Sequence, residues 1–385
     1  MKYLLVIDHI GTGGAERILV DYQRHLISKG HQVKVFCLSG KKGRSKLDND
    51  LDVVYGASND VDNLIGKSWQ QAILLFKLRN TASQFHTDVI FSFLEKSNLL
   101  VSLIPSVKTK VLTVHNVLSI QYTKIKSGIV RKVLYSMIRW MYNRCPHVIA
   151  VSKQVKDDLV DSFGVKKSNV HIINNYVDRG DIQEKALEKV DNYVFEPDVK
   201  YVMNVGRFSD QKAQWKLLKA FSLYLNQSAG NVRLVLMGQG EHTDELKQLA
   251  EDLKIADKVD FLPFNINPYK YMTHARLFVL SSIFEGFPIV LAETSSLRIP
   301  FVGTRKAIPE EMFDDKETWN QCIFDSTTLK ADFSTEIHED EKCLAKLIKK
   351  GVEDSVFRKM ILTHTQLWEN NNDKSKQFEL YDRFR

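Results

Sequence analysis

Short apolar runs rich in β-branched residues alternate with longer stretches of helical period along most of the chain, beginning with Tyr3-Leu4-Leu5-Val6-Ile7. In the first half these runs fall at 2–8, 31–38, 51–55, 88–93, 110–114, 147–152 and 169–174. Their near-continuous apolar character is that of strands covered on both faces, as in a parallel sheet. Between them, residues 15–28, 67–85, 128–143 and 152–163 place apolar side chains at helical spacing, the last stretch with Ser152 positioned to cap it. A polar stretch at 178–197 interrupts the pattern and reads as a linker. The alternation restarts at 200–206 and continues at 231–237, 258–264, 277–282 and 300–303, and from about residue 331 the chain reads as helical and charged. Strand–helix alternation of this kind predicts an α/β protein of two doubly wound domains with a cleft between them. The expected division is 1–190 and 191–370, with 371–385 placed to cross back to the first domain, and a length of 385 residues suits two such cores.

Charge sharpens this picture. Residues 1–156 carry 23 Lys and Arg against 10 Asp and Glu, whereas residues 157–385 carry 31 against 37. No acidic residue stands between Glu95 and Asp157, an interval that holds Lys96, Lys108, Lys110, Lys124, Lys126, Arg131, Lys132, Arg139, Arg144, Lys153 and Lys156. Such a surface suits nucleic acid or anionic lipid. The chain holds no nucleic-acid-binding motif, so an anionic membrane is the expected partner. Within 128–143 a helical reading puts Val130, Val133, Leu134, Met137 and Met141 on one stripe, expected to pack on the core, with Arg131, Lys132, Arg139, Trp140 and Tyr142 elsewhere, a composition that suits a headgroup interface. The amino-terminal apolar run breaks at Asp8, too soon for a secretory h-region, and no uncharged apolar span reaches membrane length. The expected location is the cytoplasm, peripheral at the inner face of the cell membrane. Cys37, Cys145, Cys322 and Cys343 lie far apart without a CxxC pair, which indicates reduced, buried thiols rather than a disulfide framework or a zinc site.

Candidate chemistry concentrates in the second half. Arg207-Phe208-Ser209-Asp210-Gln211-Lys212 follows a strand, and Glu285 and Glu293 stand about eighty residues later, eight apart. Fixed cations beyond a strand's carboxyl end suit a diphosphate, whose departure builds negative charge. Two carboxylates, one in a loop and one in the following helix, can accept hydrogen bonds from two sets of hydroxyls. The pattern reads as a sugar nucleotide held at both ends. In the first half, Gly11-Thr12-Gly13-Gly14 opens the first helix, where backbone N–H groups can approach an anion, although Glu16 stands where a dinucleotide fingerprint needs its third glycine. His115 follows a strand in a cleft-facing loop position. The acidic pairs Asp48/Asp50 and Asp60/Asp62 lie in polar loop sequence and read as solvated; no metal and no cofactor is expected.

These pieces resemble, in order and spacing over roughly residues 1–310, the retaining glycosyltransferases of the GT-B fold, family four type, found in bacterial capsule, exopolysaccharide and wall-polymer synthesis. The matching strings are Gly13-Gly-Ala-Glu-Arg17, Thr113-Val-His-Asn116, Val148-Ile-Ala-Val-Ser152, Ile173-Asn-Asn-Tyr-Val-Asp178, Val205-Gly-Arg-Phe-Ser-Asp-Gln-Lys212, Met237-Gly-Gln-Gly-Glu241 and the pair Glu285/Glu293. The resemblance implies two Rossmann-like domains, an acceptor-binding one and a donor-binding one. It implies that Arg207 and Lys212 neutralise the donor diphosphate, Glu293 binds the ribose, Glu285 holds the donor sugar and His115 contacts that sugar from the other domain. It implies further that the Gly13-Gly14 loop approaches the phosphates or the acceptor, and that Gly206, Gly286, Phe287 and Pro288 belong to the donor site. It implies metal-free transfer, with retention, from a nucleotide sugar (a UDP-sugar) to a lipid-linked or other glycan acceptor. Pro288 replaces a common glycine, and Arg305-Lys-Ala-Ile-Pro-Glu310 is a reduced form of a later glycine-rich element. A catalytically silent partner protein on the same fold and a sugar-nucleotide epimerase are the alternative readings.

Overall fold

The computed structural model describes residues 1–11, 13–40, 52–57, 64–105, 107–228, 230–327 and 329–384. The chain forms two compact units: Met1–Asn175 with Ser375–Arg385, and Tyr176–Lys374. The acidic pairs at 48/50 and 60/62 lie outside the described residues.

The first unit is built on strands β1 (Lys2–Ile7), β2 (Gln32–Ser39), β3 (Val53–Ala57), β4 (Val89–Phe93), β5 (Thr109–Val114), β6 (His147–Ala150) and β7 (Val170–Ile172), in the order β3-β2-β1-β4-β5-β6-β7. The second is built on β8 (Lys200–Val205), β9 (Val232–Met237), β10 (Val259–Leu262), β11 (Ala275–Leu280), β12 (Phe301–Thr304) and β13 (Ile323–Phe324), in the order β10-β9-β8-β11-β12-β13. Neighbouring strands run parallel in both. Helices cover both faces of such sheets, so Tyr3 to Ile7 and Val89 to Phe93 have no solvent-facing alternation and are wholly buried. In each sheet the direction of winding reverses once, between β1 and β4 and between β8 and β11. At such a switch point the loops leaving two adjacent strands diverge and open a crevice beyond their carboxyl ends.

Several expectations need correction. The stretch read as a linker contains the helix Arg179–Ala186, whose cap is Asp178 accepting from the Asp181 N–H, and Gln183 donates to the Ser296 carbonyl at 3.3 Å. These contacts tie it to the second unit, so the chain divides at Asn175/Tyr176 rather than near residue 190. Strand β13 has two residues, too few to give a periodic signal. Cys343 is exposed, while the other three thiols are buried. In the helix Gly128–Arg144 the face toward the core is Ile138, Met141 and Tyr142; of the stripe expected there, Met141 is buried and Leu134 half-buried, while Val130, Val133 and Met137 are exposed. The helix is apolar on more than one side, and the side chosen is the one whose Tyr142 hydroxyl accepts from Asn98 Nδ2 at 3.2 Å.

The second unit also buries two lysines. On the helix Gln214–Leu225, Lys216 Nζ lies 2.7 Å from Asp340 and Lys219 Nζ 2.6 Å from Asp332, with both lysine side chains fully enclosed. Burial alone would raise the Asp340 pKa, but the hydrogen bonds and charge of Lys216, with Thr327 N–H and Ser326, outweigh it and hold the carboxyl at about 2. Removing one member of a buried pair leaves an uncompensated charge, so Lys216→Ala should cost about 3–5 kcal/mol at neutral pH. Because the folded-state pKa is depressed, this stability is present above the ordinary carboxylate range and is lost as pH falls toward about 2. Urea melts of Lys216→Ala and the parent should therefore differ most near neutrality and converge between about pH 4 and pH 2; equal stability near neutrality would contradict the pairing.

Candidate active site

At the switch point of the second sheet, the loop leaving β8 is held by glycine-dependent contacts. Gly238, just past β9, sits at φ +153°, and a Cβ there would lie 2.0 Å from the Gly206 carbonyl oxygen; at Gly240 it would lie 2.2 Å from that of Phe208. No side chain larger than hydrogen fits either place. Gln214 Nε2 donates to Asn204 Oδ1 at 3.3 Å and to the Arg207 carbonyl at 3.1 Å. Ala213, left-handed at φ 47° and ψ 45°, turns the chain into the following helix.

The loop leaving β11 is stitched to this one. Ile283 N–H donates to the Gln211 carbonyl at 2.8 Å, Gln211 Nε2 to the Phe284 carbonyl at 3.0 Å, and Ser281 Oγ to the Lys212 carbonyl at 2.8 Å. The consequence is an ion pair between Lys212 Nζ and Glu285 Oε1 at 2.7 Å, the carboxylate about one-tenth exposed and the ammonium about one-quarter. Glu285 fixes the ammonium while leaving its other protons to point elsewhere, and Oε2 accepts from Gln211 Nε2 at 3.5 Å. Arg207 is exposed in the same loop, with no ion pair among the described residues. Glu293 lies buried in the helix Ile289–Ser296, where the Tyr269 hydroxyl donates to its Oε1 at 2.8 Å. Pro288 caps that helix, and Phe287, after Gly286, stacks on Trp368 with ring centroids 5.6 Å apart. The structure thus gathers Gly206, Arg207, Lys212 and Glu285 in two bonded loops, with Gly286, Phe287, Pro288 and Glu293 continuing from them. Gln211 was reachable from sequence, since it lies within the Arg207 to Lys212 string. Tyr269 and Trp368 were not: nothing in their local sequence links them to residues 24 and 81 positions away.

His115 and the glycine turn belong to the first unit. His115 follows β5, with Nε2 3.0 Å from Thr113 Oγ1 and its ring stacked near Phe93. Desolvation pushes its pKa down to about 4, so the ring is neutral near pH 7 and can exchange hydrogen bonds with a hydroxyl. Gly13 caps the helix Gly14–Ser28, and a Cβ there would lie 2.5 Å from Glu16 Oε2. The close approach this glycine permits is taken by the protein's own Glu16, which is buried and lies 3.3 Å from His9 Nε2.

Among the described residues, two groups could each bring three ligand atoms to a metal ion: Asp210 with Glu241 and His242, and Asp314 with Asp315 and His364. The first includes Asp210 of the Arg207 to Lys212 loop, against which Glu241 and His242, past β9, are placed by the His242 N–H donating to the Phe208 carbonyl at 3.3 Å. In it His242 Nε2 lies 2.9 Å from Asp210.

Comparison with known proteins fits this arrangement. Residues 12–180 match the family described as glycosyltransferase family 4, and residues 187–354 that described as glycosyl transferases group 1. A relative from Campylobacter jejuni, N-acetylgalactosamine-N,N'-diacetylbacillosaminyl-diphospho-undecaprenol 4-alpha-N-acetylgalactosaminyltransferase, is 28% identical over 321 residues, 82% of this chain and 84% of its own. A second Campylobacter protein, an alpha-1,4-N-acetyl-D-galactosaminyltransferase acting on a diNAcBac-PP-undecaprenol-linked glycan, is 24% identical over 99% of this chain and 95% of its own. Among solved structures, Anabaena HepE in complex with UDP superposes with a TM-score of 0.75 at 19% identity, covering 100% of this chain and 99% of that one. At that identity the match shows a shared fold.

Proposed function

This chain belongs to the family four glycosyltransferases of the GT-B fold, and from that premise we propose that it moves a hexosyl or N-acetylhexosaminyl group from a UDP-sugar to a lipid-linked glycan, with retention and without a metal. The observation that carries the reading is the Lys212–Glu285 pair at the switch point of the second sheet. A diphosphate reaching Lys212 meets a cation already oriented, in a loop that needs no rearrangement, and such preorganised charge lowers the barrier to departure of a phosphate. Glu285 beside it offers a carboxylate to the hydroxyls of the attached sugar. Incubation with a panel of nucleotide sugars should release UDP from one of them, undiminished by EDTA, and the product glycoside should keep the donor's anomeric configuration. Loss of activity on chelation with recovery on manganese would overturn the metal-free part and direct attention to Asp210, Glu241 and His242.

The acceptor we propose is reached at an anionic membrane surface, through the first unit. On the helix Gly128–Arg144, Ile129, Val133, Met137 and Trp140 are exposed at successive turns, with Val133 63% accessible, and exposed Lys126, Lys132, Arg139 and Arg144 surround them. The helix Leu64–Gln84 similarly exposes Trp69, Ile73 and Phe76 at i, i+4 and i+7. The connections β3 to β4 and β5 to β6 run the same way along the sheet, so right-handed crossovers put both helices on one face. Apolar residues to enter the acyl boundary and cations worth about 1 kcal/mol each near an anionic leaflet make a reversible docking surface. Co-sedimentation with vesicles should require anionic lipid, fall with added salt and weaken in a variant with Lys124, Lys126, Arg131 and Lys132 changed to Ser. Salt-independent binding, or none to anionic vesicles, would remove the membrane from the account.

A further inference from the structure

The first sheet has its own switch point, between β1 and β4, and the residues just beyond those two strands are not the ones so far assigned to the donor. Asp8 follows β1. Its Oδ1 accepts from Ser97 N–H at 2.7 Å and Ser97 Oγ at 2.6 Å, which ties it to the helix Glu95–Ser102 that follows β4. Glu95 opens that helix. Its Oε1 is shut off from solvent and has no hydrogen-bond partner among the described residues. Leu94, immediately before it, is held at φ 77° and ψ 162°, a region that residues other than glycine rarely adopt. A buried carboxylate oxygen without a partner, on strained backbone, opposes stability. Its place at the carboxyl edge of the central strands is where open α/β sheets take ligands.

We propose that Glu95, supported by Asp8, receives a hydroxyl of the acceptor sugar and so positions it for transfer. This rests on the sugar-transfer reading above. A carboxylate accepts from hydroxyls through two oxygens and, when protonated, donates as well, which suits a polyhydroxy ligand better than a phosphate. The groups bearing on Glu95 from the packed elements are Asp8 and, beyond it, Lys96 on one side and Tyr122 and Tyr142 on the other. Desolvation first, and the Asp8 charge after it, raise the Glu95 carboxyl to about 7, although its own backbone N–H acts against them. A folded-state pKa raised in this way means that Glu95 destabilises the fold increasingly as pH climbs from the ordinary carboxylate range through about 7.

The test uses the full-length chain and Glu95→Gln, which keeps the shape and removes the charge. With octyl glycosides as acceptors at saturating donor, Glu95→Gln should lower kcat/KM for the glycoside at least about tenfold, while UDP affinity and release of UDP by hydrolysis stay within about twofold. Its Tm should match or exceed that of the parent at pH 8, with the gain vanishing near pH 5. A residue present for the fold gives the opposite sign, so a Tm lowered by several degrees at pH 8 overturns the proposal, as does transfer to the glycoside that is unchanged. If the parent chain neither binds UDP nor releases it from any donor, the sugar-transfer reading fails, and with it this one; parent activity with unchanged transfer in Glu95→Gln sinks the acceptor assignment alone.

Discussion

Replacing Lys212 with alanine should lower turnover by about 10²–10³, with Arg207→Ala falling in the same range. One preorganised contact to a departing anion is worth about 3–4 kcal/mol, and each 1.4 kcal/mol is tenfold in rate. The two losses should nonetheless differ in character. Lys212 is committed to Glu285 at 2.7 Å before any ligand arrives, so its removal also leaves a largely buried carboxylate unpaired where the sugar should sit. Arg207 is exposed and without an ion pair among the described residues, so its removal leaves the rest of the site in place. Lys212→Ala should therefore raise the apparent donor KM as well as lowering kcat, while Arg207→Ala should act mostly on kcat. Steady-state kinetics with the active donor distinguish them, and variants with parent-like kcat would remove leaving-group stabilisation from these residues.

Glu285→Gln and Glu293→Gln should separate the two ends of the donor. Glu293 is enclosed and fixed by the Tyr269 hydroxyl at 2.8 Å, and a hydrogen bond from a ribose hydroxyl to a charged acceptor contributes about 1.5–3 kcal/mol. Losing its charge should weaken UDP binding by about ten- to a hundredfold. Glu285→Gln keeps the side-chain shape but leaves Lys212 without its counter-charge and offers the donor sugar an uncharged amide with one accepting oxygen in place of a carboxylate with two. Here transfer should fall by about 10² or more while UDP, which lacks the sugar, binds nearly as well as before. Calorimetric titration of both variants with UDP decides the matter: equal loss of affinity in the two would sink the division of roles.

The alternation of apolar and helical stretches carried the fold because parallel strands covered on both faces leave a signal in every few residues. It failed where that signal is weakest. The helix Arg179–Ala186 buries only Ile182, so it has no stripe to detect, although Asp178 stood in the sequence as a capping residue. Which side of the helix Gly128–Arg144 faces inward could not be read from period alone, since the choice is settled by Tyr142 meeting Asn98, forty-four residues earlier. For the candidate site, Arg207, Lys212, Glu285 and Glu293 stood out because they cluster in two strings, each after a strand. The Lys212–Glu285 bond was not, because it depends on how two loops from adjacent strands are laced together. Glu95 was legible only as an ordinary acidic residue after an apolar run; the burial of its Oε1 and the strain at Leu94 exist only once β1 and β4 lie side by side.

Hydrogen–deuterium exchange of the intact chain, with and without UDP, tests the central claim most directly, because ligand contacts slow local opening wherever they are made. UDP should protect peptides spanning 206–214 and 283–297 in the second unit and leave 230–237 and 339–371 unchanged. Protection absent from both loops, or confined to other segments, would contradict a nucleotide site at the switch point of the second sheet.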